Sequence, residues 1–289
     1  MHNNKIILGT AQFGLDYGIN NKEGRPTHET IKEILDLAHT KKIIFLDTAE
    51  AYGNSHEIIG EYHANSNNKF KVITKFSPLR KDFPNNISER IKHHLKIMNI
   101  DSIYCYMFHS YIDFKKYFNL FRLELLELKK KGVINKIGVS LHSNNDMIDV
   151  LKNQDIELIQ LPYNLFDNKN KREKVILKAK KLGVEIHTRS TFLQGLFFKD
   201  LGSIEGELSA LKKYLVKLQG IIDTTEINNL ALNYVYSNPN IDAVLIGVDS
   251  VNQLKNNISC VDTNKYKNIF CNINLINVEE ENMLNPSNW

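Results

Sequence analysis

A (β/α)8 TIM barrel, an α/β fold that forms a single domain over residues 1–289, is the fold that the sequence predicts. Eight short apolar runs alternate with amphipathic stretches, as parallel strands joined by helical crossovers require. The chain of 289 residues is long enough for such a barrel, which needs roughly 250 residues. No linker, low-complexity segment or change in composition divides the chain, so we expect one domain.

The predicted strands are runs rich in Ile, Val and Leu, and several of them are apolar at consecutive residues. This pattern is typical of strands that are buried on both faces. An open doubly wound sheet is the main alternative, but it usually shows a GxGxxG turn after an early strand, and this chain has none. The predicted strands cover 5–10, 43–47, 71–75, 102–108, 136–140, 157–161, 184–188 and 243–247.

Between the strands, apolar residues recur with the spacing of amphipathic helices. Three such stripes are Ile31, Ile34, Leu35 and Ala38; Phe114, Phe118, Phe121, Leu125 and Leu128; and Ile227, Leu230, Ala231, Tyr234 and Val235. Gly132 and Gly183 fall where helices should end in the left-handed conformation. The stretch 190–222 is predicted to be a loop over the active face with a helix near 208–219, and the tail after 262 to be a surface wrap or an extra helix.

The composition argues against several kinds of partner. A formal charge of +4, from 37 basic and 33 acidic residues, is too small to indicate nucleic-acid binding. No apolar run approaches the ~20 residues that span a bilayer, and the polar start MHNNKIILGT does not resemble a signal peptide. The three cysteines lack a CxxC spacing, which suits a reducing compartment. We therefore expect a cytoplasmic protein that binds neither nucleic acid nor membranes, and the sequence leaves its oligomeric state open.

No metal site is predicted. The chain has no HxxxH motif and no Cys/His cluster with the spacing of metal ligands. We interpret His93, His94, His142 and His187 as structural residues. Cys105 lies within an apolar strand and is interpreted as a buried structural thiol.

Four polar side chains lie at the ends of predicted strands or just past them. Asp47, Lys75 and His109 lie at the ends of the second, third and fourth strands, and Tyr52 lies in the loop after Asp47. In a TIM barrel the chemistry takes place at the C-terminal ends of the strands, and adjacent strands are about 4.8 Å apart. We therefore expect the four side chains to meet around one cavity, although each alone would be an ordinary capping or packing residue.

These residue types suit proton donation to a carbonyl oxygen. Free tyrosine has a pKa of about 10, and the nearby Lys75 ammonium should lower the pKa of Tyr52 toward the useful range of a general acid. Asp47 can keep the buried ammonium charged, and His109 can orient an oxygen-bearing substrate. Proton transfer to a developing alkoxide is half of a carbonyl reduction, and the hydride needs a cofactor.

The chain resembles the aldo-keto reductases over nearly its whole length. LGTAQFG resembles the opening strand of that family, FLDTAEAYGNSHEIIG its most specific signature, and ITKF and MFHS its lysine and histidine positions. The resemblance implies a TIM barrel that reduces carbonyls with a nicotinamide cofactor, usually NADPH. By position it makes Tyr52 the general acid, Lys75 and Asp47 the residues that tune it, and His109 the residue that orients the substrate.

The resemblance also implies a set of cofactor-binding residues. KIGVSLHS resembles the fifth strand of the family, where a Ser-Asn pair holds the nicotinamide amide, but here Leu141 follows Ser140. TRSTFLQGL places Arg189 where many members carry an aromatic residue, and LIGVDSVNQLKNN resembles the adenosine-phosphate segment. The implied cofactor residues are Gly9, Thr10, Asp47, Ser140, Gln160, Arg189, Ser190, Gly247, Ser250, Gln253 and Asn257.

Two cofactors stay open: NADP(H), which the resemblance favours, and NAD(H). The basic residues that many NADPH-dependent members carry after the eighth strand are missing, and Gly247, Val248 and Gln253 stand there instead. Asp249 adds a negative charge, either as the cap of a helix or as a group that repels a 2′-phosphate.

Three functional hypotheses follow. The leading one is NAD(P)H-dependent reduction of a small-molecule aldehyde or ketone, with sugar-type carbonyls among the candidate substrates. The alternative is a cofactor-binding regulatory or sensor protein, although such a protein need not keep all four residues at the strand ends. A barrel hydrolase or aldolase that uses Lys75 as a Schiff base is weaker, because Asp47 and Tyr52 would keep that lysine charged.

The substrate pocket is expected to be built by loops and by the C-terminal tail. Candidate loops are those near 13–26, 76–86, 110–114 and 190–206. Four aromatic residues in these loops either form apolar walls of the pocket or pack in the core: Phe13, Tyr17, Phe76 and Phe192.

Overall fold

Eight parallel strands close into a barrel in the order of the chain. The computed structural model describes residues 4–19, 21, 24–80 and 83–289. The strands are β1 (Ile6–Gly9), β2 (Phe45–Asp47), β3 (Lys71–Phe76), β4 (Ile103–Phe108), β5 (Ile134–Ser140), β6 (Leu158–Pro162), β7 (Glu185–Arg189) and β8 (Ala243–Gly247). Pairing of β1 with β8, from Ile6 opposite Val244 to Gly9 opposite Gly247, closes the sheet. The predicted (β/α)8 barrel is therefore confirmed.

Helices follow the strands and cover the outside of the barrel. They are α1 (Ala11–Gly14), α2 (His28–Thr40), α3 (Ser55–Asn65), α4 (Ile87–Met98), α5 (Tyr111–Lys130), α6 (Asn144–Val150), α7 (Lys169–Lys181), α8 (Lys212–Gln219), α9 (Ile227–Tyr236), α10 (Val251–Ser259) and α11 (Phe270–Asn274). Polar caps define several helix starts, because their side chains accept hydrogen bonds from otherwise unpaired amides. Thr27, Asn86, Ser110, Ser143 and Ser250 have this role.

Two glycines end helices as predicted. Gly132 follows α5 with a φ of 72°, and Gly183 follows α7 with a φ of 75°. Positive φ values are readily available to glycine because it lacks a Cβ. Each glycine turns the chain toward the next strand, so the short helix–strand connections depend on these positions.

The connection from β7 to β8 contains more 3-10 structure than predicted. Short 3-10 turns cover Leu193–Phe198, Leu201–Ser203 and Gly206–Leu211, and the α-helix begins only at Lys212. The expected helix near 208–219 is thus α8 with a 3-10 turn before it. In the tail, α11 is joined by short 3-10 turns at Lys267–Ile269, Glu281–Leu284 and Pro286–Asn288.

The core has two parts. The larger part lies between the strands and the helices and includes the predicted stripes on α2, α5 and α9. A smaller cluster comes from strand residues alone: Ile7, Ile73, Cys105, Met107, Leu158 and Ala243. Cys105 is fully buried there, and burial raises the pKa of its thiol well above the ordinary value. The interpretation of Cys105 as a buried structural thiol is confirmed. Across the residues with described positions, no helix is long and apolar enough to cross a membrane.

Candidate active site

The structure brings Asp47, Tyr52, Lys75 and His109 together around one cavity of about 1020 Å³. Asp47 is the last residue of β2, Lys75 is the penultimate residue of β3, and His109 follows β4 directly. Tyr52 lies between β2 and α3. The cavity therefore opens at the C-terminal ends of the strands, where barrels of this kind carry their chemistry.

Lys75 and Asp47 form a buried ion pair beneath the cavity. Each residue is only 1% exposed, and the Lys75 ammonium donates to Asp47 Oδ1 and, at 3.0 Å, to the carbonyl of Thr48. Burial opposes the charge on the ammonium, but the Asp47 carboxylate raises the pKa of Lys75 above its ordinary value. A protonated amine is a poor nucleophile, which argues against the Schiff-base hypothesis.

The Tyr52 ring packs between this ammonium and His109. Lys75 Nζ lies 5.2 Å from the centroid of the phenol ring, and the His109 ring meets it edge-on at a centroid distance of 5.8 Å. The expected lowering of the phenol pKa is wrong for this structure. Burial raises the pKa of Tyr52 by more than Lys75 lowers it, and Asp47 raises it further. The phenol is therefore held protonated, with a cation nearby that favours its conjugate base.

Two glycines allow the loop that carries Tyr52 to pass close to the end of α1. A Cβ on Gly14 would lie 2.0 Å from the carbonyl oxygen of Tyr52, and one on Gly53 would lie 2.2 Å from the carbonyl oxygen of Gly14. Gly53 also has a φ of 54°. Any larger side chain would push the loop away, so both positions contribute to the placement of Tyr52.

His109 is neutral at physiological pH. Burial, together with the positive charges of Lys75 and Arg189, lowers the pKa of its imidazole to about 3. A neutral imidazole has one nitrogen that donates and one that accepts. It can therefore donate a hydrogen bond to a carbonyl oxygen without competing with Tyr52 for the proton.

Most of the implied cofactor residues line the same cavity: Gly9, Thr10, Asp47, Ser140, Gln160, Arg189, Ser190, Gly247, Gln253 and Asn257. The exception is Ser250, whose hydroxyl caps α10 by accepting from the amide of Gln253. This cap also corrects the suggestion that Asp249 caps the helix. Asp249 instead lines the cavity, and its amide donates to Gln253 Oε1 at 2.8 Å.

The Gln160 amide is oriented by the Asp47 carboxylate. Its Nε2 donates to Asp47 Oδ2 at 2.7 Å, across 113 residues of sequence. This bond uses one of the two N–H donors of the Gln160 amide, whose carbonyl oxygen can accept a hydrogen bond from a ligand.

The Arg189 guanidinium is held in place by the two residues that follow β5 and by the adjacent Ser190. It donates to the carbonyl of Leu141 at 3.4 Å, to His142 Nε2 at 2.6 Å and to Ser190 Oγ at 3.3 Å. Burial and the charge of Arg189 lower the pKa of His142 to about 3, so its imidazole is a neutral acceptor. His142 was interpreted as a structural residue, but it lines the cavity. Its position two residues after Ser140, an implied cofactor residue, could have indicated this from the sequence.

The expected walls of the substrate pocket are only partly right. Tyr17 and Phe192 line the cavity, whereas Phe13 and Phe76 are buried in the core. Loops near 13–26, 110–114 and 190–206 contribute, and the tail does so through Asn285. Of the 76–86 loop, none of the residues whose positions are described lies in the lining.

Two loops meet at the cavity edge. Gln194 Nε2 donates to Tyr17 Oη at 3.1 Å, and the amide of Ile19 donates to the carbonyl of Gln194 at 3.3 Å. Leu193 and Gln194 both have positive φ values, of 47° and 52°, a conformation that costs energy in residues with a Cβ. Sequence reasoning missed Gln194 because this contact joins loops 177 residues apart.

No metal site is visible in the part of the chain with described positions, where no group of three or more His, Cys, Asp or Glu side chains could hold an ion.

The fold places this chain among (β/α)8 barrels, and comparison with known proteins identifies its family. The model of the aldo/keto reductase family matches residues 5–273. The chain therefore belongs to the aldo/keto reductase family and is an oxidoreductase.

Individual relatives are distant. The uncharacterized oxidoreductase YqkF of Bacillus subtilis (strain 168) is 23% identical over 287 residues, covering 90% of this chain and 92% of that protein. The aldo-keto reductase str7 of Strobilurus tenacellus is 27% identical over 199 residues, covering 65% of this chain and 57% of that protein.

Solved structures share the fold at similarly low identity. The holo form of aldo-keto reductase AKR11C1 from Bacillus halodurans has a TM-score of 0.77 and 22% identity, covering 97% of this chain and 95% of that chain. The glycerol dehydrogenase AKR11B4 from Gluconobacter oxydans has a TM-score of 0.71 and 18% identity, covering 94% and 93%.

Proposed function

We propose that this protein reduces the carbonyl group of an aldehyde or ketone to an alcohol, using a nicotinamide dinucleotide and a proton from Tyr52. The observation that supports this most directly is the buried Lys75–Asp47 pair beside the Tyr52 ring, with the neutral His109 imidazole on the same cavity. This arrangement can stabilise the oxygen of a substrate carbonyl as it gains negative charge, and can then protonate it.

The residues act in a defined order. His109 donates a hydrogen bond to the carbonyl oxygen and directs it toward the Tyr52 hydroxyl. As negative charge develops on that oxygen, Tyr52 transfers its proton. The Lys75 ammonium then stabilises the phenolate, because an adjacent positive charge favours the ionised form. Asp47 keeps the buried Lys75 side chain protonated and in place.

The described residues fit a nicotinamide dinucleotide. Gln160 and Ser140 both line the cavity, and an amide carbonyl oxygen and a hydroxyl are groups that can hold a carboxamide. Arg189 presents a planar guanidinium, which can stack on a flat ring. When bound, the reduced nicotinamide would supply the hydride.

The substrate we propose is a small polar carbonyl compound, with sugar-type carbonyls as the leading candidates. The lining beyond the catalytic residues offers hydrogen-bonding groups on several sides: Asn21, Ser110, Tyr111, His142, Asp146 and Asn285. Hydroxyl groups of a substrate could form hydrogen bonds with several of these polar side chains, which an apolar substrate could not do. One structural neighbour, AKR11B4, is described as a glycerol dehydrogenase, which is in keeping with a hydroxylated substrate.

Isotope transfer tests the proposed reaction. With a reduced dinucleotide that carries deuterium at nicotinamide C4 and a panel of aldehydes, hydroxy-ketones and keto-sugars, deuterium should appear on the new carbinol carbon with one stereochemistry. Mass spectrometry and NMR of the alcohol would measure it. If NADH and NADPH each bind but neither transfers deuterium to any compound of the panel, the result would favour the regulatory alternative.

The end of the cavity near α10 favours NAD(H) over NADP(H). Its lining consists of Asn228, Asp249, Gln253, Asn256 and Asn257. None of these side chains is cationic, and the Asp249 carboxylate would repel a 2′-phosphate. The amides of Asp249 and Gln253 are already bound to Gln253 Oε1 and Ser250 Oγ, so they are not available to a phosphate.

We expect NADH to bind at least about tenfold more tightly than NADPH, a difference of about 1.4 kcal/mol. Titration calorimetry with each dinucleotide, without substrate, would measure this. The Asp249→Lys variant should reduce or reverse the preference, because it replaces a repelling charge by an attracting one. Asp262→Lys, the same charge change at an exposed position after α10, is the control and should have little effect. Tighter binding of NADPH by the unmodified protein would contradict the NAD(H) preference.

A further inference from the structure

The loop that carries Tyr52 is anchored by a buried carboxylate outside the cavity lining. Glu50 lies two residues before Tyr52 and is 1% exposed. Its side chain accepts hydrogen bonds from the amide of Ser77 at 2.7 Å and from the hydroxyl of Tyr106 at 2.8 Å. Its backbone amide donates to the carbonyl of Lys75 at 3.0 Å. Glu50 thus joins the Tyr52 loop to β3 and β4.

The same carboxylate is paired with two side chains of α4. Arg90 donates to both carboxylate oxygens, at 3.0 Å from Nε and 2.5 Å from Nη2. His94 Nε2 lies 2.7 Å from Oε1. Burial opposes ionisation of Glu50, but the hydrogen bonds from His94 and Arg90 hold its pKa below the ordinary value. A charge-assisted, two-pronged pair of this kind fixes direction as well as distance.

A second guanidinium holds the backbone on both sides of Tyr52. Arg80 Nη1 donates to the carbonyl of Glu50 at 2.5 Å and to the carbonyl of Gly53 at 3.1 Å. These carbonyls flank the Ala51–Tyr52 segment, so one side chain spans the stretch from which the phenol projects. Arg80 is half-buried and lies in the loop after β3.

We propose that Glu50 and Arg80 are positioning residues, which fix the backbone on either side of Tyr52 and thereby hold its hydroxyl at the distance needed for proton transfer. This inference rests on the proposed role of Tyr52 as proton donor. Neither side chain lines the cavity, so each acts through the loop. A displacement of about 1 Å in a reacting group can cost about 10²-fold in rate, which makes such an anchor worthwhile.

The test compares Arg80→Met with Arg122→Met. Arg122 is an exposed arginine on α5 that pairs with Asp155 at 2.6 Å, so its replacement also removes a surface guanidinium with a hydrogen-bond partner. We expect Arg80→Met to lower kcat by about tenfold or more, while dinucleotide Kd stays close to the unmodified value. Arg122→Met should change neither kcat nor Kd. Arg80→Lys keeps a cationic donor and should recover part of the lost kcat.

Glu50→Gln tests the buried anchor and should lower kcat in the same way, with unchanged dinucleotide Kd. If Glu50→Gln does not fold, the Arg80 series still decides the matter. A kcat of Arg80→Met within about twofold of the unmodified protein, or a loss of kcat that comes with weakened dinucleotide binding, would overturn the inference.

Tyr52→Phe, measured alongside, separates this inference from the proposed function. Full turnover in Tyr52→Phe would remove the proposed role of Tyr52 itself. Loss of turnover in Tyr52→Phe with normal kcat in Arg80→Met would remove only the positioning role.

Discussion

Replacement of Tyr52 by Phe is expected to lower kcat by about 10³-fold, within the range of 10²–10⁴ for removal of a general acid. Burial keeps the phenol protonated. The two neighbouring described groups, His109 and Lys75, cannot replace it as the proton donor. The pKa of the His109 imidazolium is about 3, so at neutral pH the ring has already lost its acidic proton. The charged Lys75 is paired with Asp47. Turnover should therefore fall without a substitute donor.

Dinucleotide binding should survive this change, because Phe keeps the ring that packs against His109 and Lys75. Steady-state kinetics with the best carbonyl substrate and calorimetric titration with NADH would measure the two effects separately. Tyr236→Phe is a matched control, since the hydroxyl of Tyr236 accepts from the amide of Lys5 at 3.4 Å and lies on α9 outside the cavity lining. A kcat of Tyr52→Phe within about tenfold of the unmodified protein would exclude Tyr52 as the acid.

Replacement of Lys75 by Met is expected to damage both stability and turnover. The change leaves the Asp47 carboxylate buried without its cation, a situation that costs about 3–5 kcal/mol. The phenolate also loses the neighbouring charge that stabilises it, so kcat should fall at least about 10²-fold. Urea unfolding and steady-state kinetics would measure the two losses.

A double variant separates these effects. Asp47→Asn in the Lys75→Met background removes the uncompensated charge, and the free energy of unfolding should return to within about 1–2 kcal/mol of the unmodified value, because removing both partners of a buried pair is often nearly neutral. Turnover should stay lost. Lys71→Met, at an exposed position on the same strand, is the control and should change stability by less than about 0.5 kcal/mol. A Lys75→Met protein as stable as the unmodified one would show that the pair is not needed for folding.

The strands were predictable because the barrel imposes a local pattern. A strand covered on both faces must be apolar at consecutive residues, and each observed strand begins and ends within two residues of the predicted bounds. The positions of Asp47, Lys75 and His109 follow from the same pattern, since a residue that ends a parallel strand lies at the active rim. The roles of Gly132 and Gly183 were also predictable, because the left-handed backbone conformation that ends many α-helices favours glycine.

The electrostatics of the site could not be predicted in the same way. The sequence indicated a cation next to Tyr52, which lowers a phenol pKa, but the net direction depends on how deeply the hydroxyl is buried. In the folded protein, burial raises the pKa of Tyr52 by more than Lys75 lowers it, and burial is set by the packing of separate elements. Similarly, Ser250 rather than Asp249 caps α10, a choice made by backbone geometry.

By itself, the sequence determined which groups are present at the rim of the barrel and hence the kind of chemistry that they can perform. Only the tertiary structure decided what holds those groups. Asp47 meets Gln160 across 113 residues, and Glu50 meets Tyr106 across 56. Such contacts produce no periodic pattern in the sequence, because they join single side chains from different elements. The order of strands around the barrel brings them together, and no pattern within a single segment does.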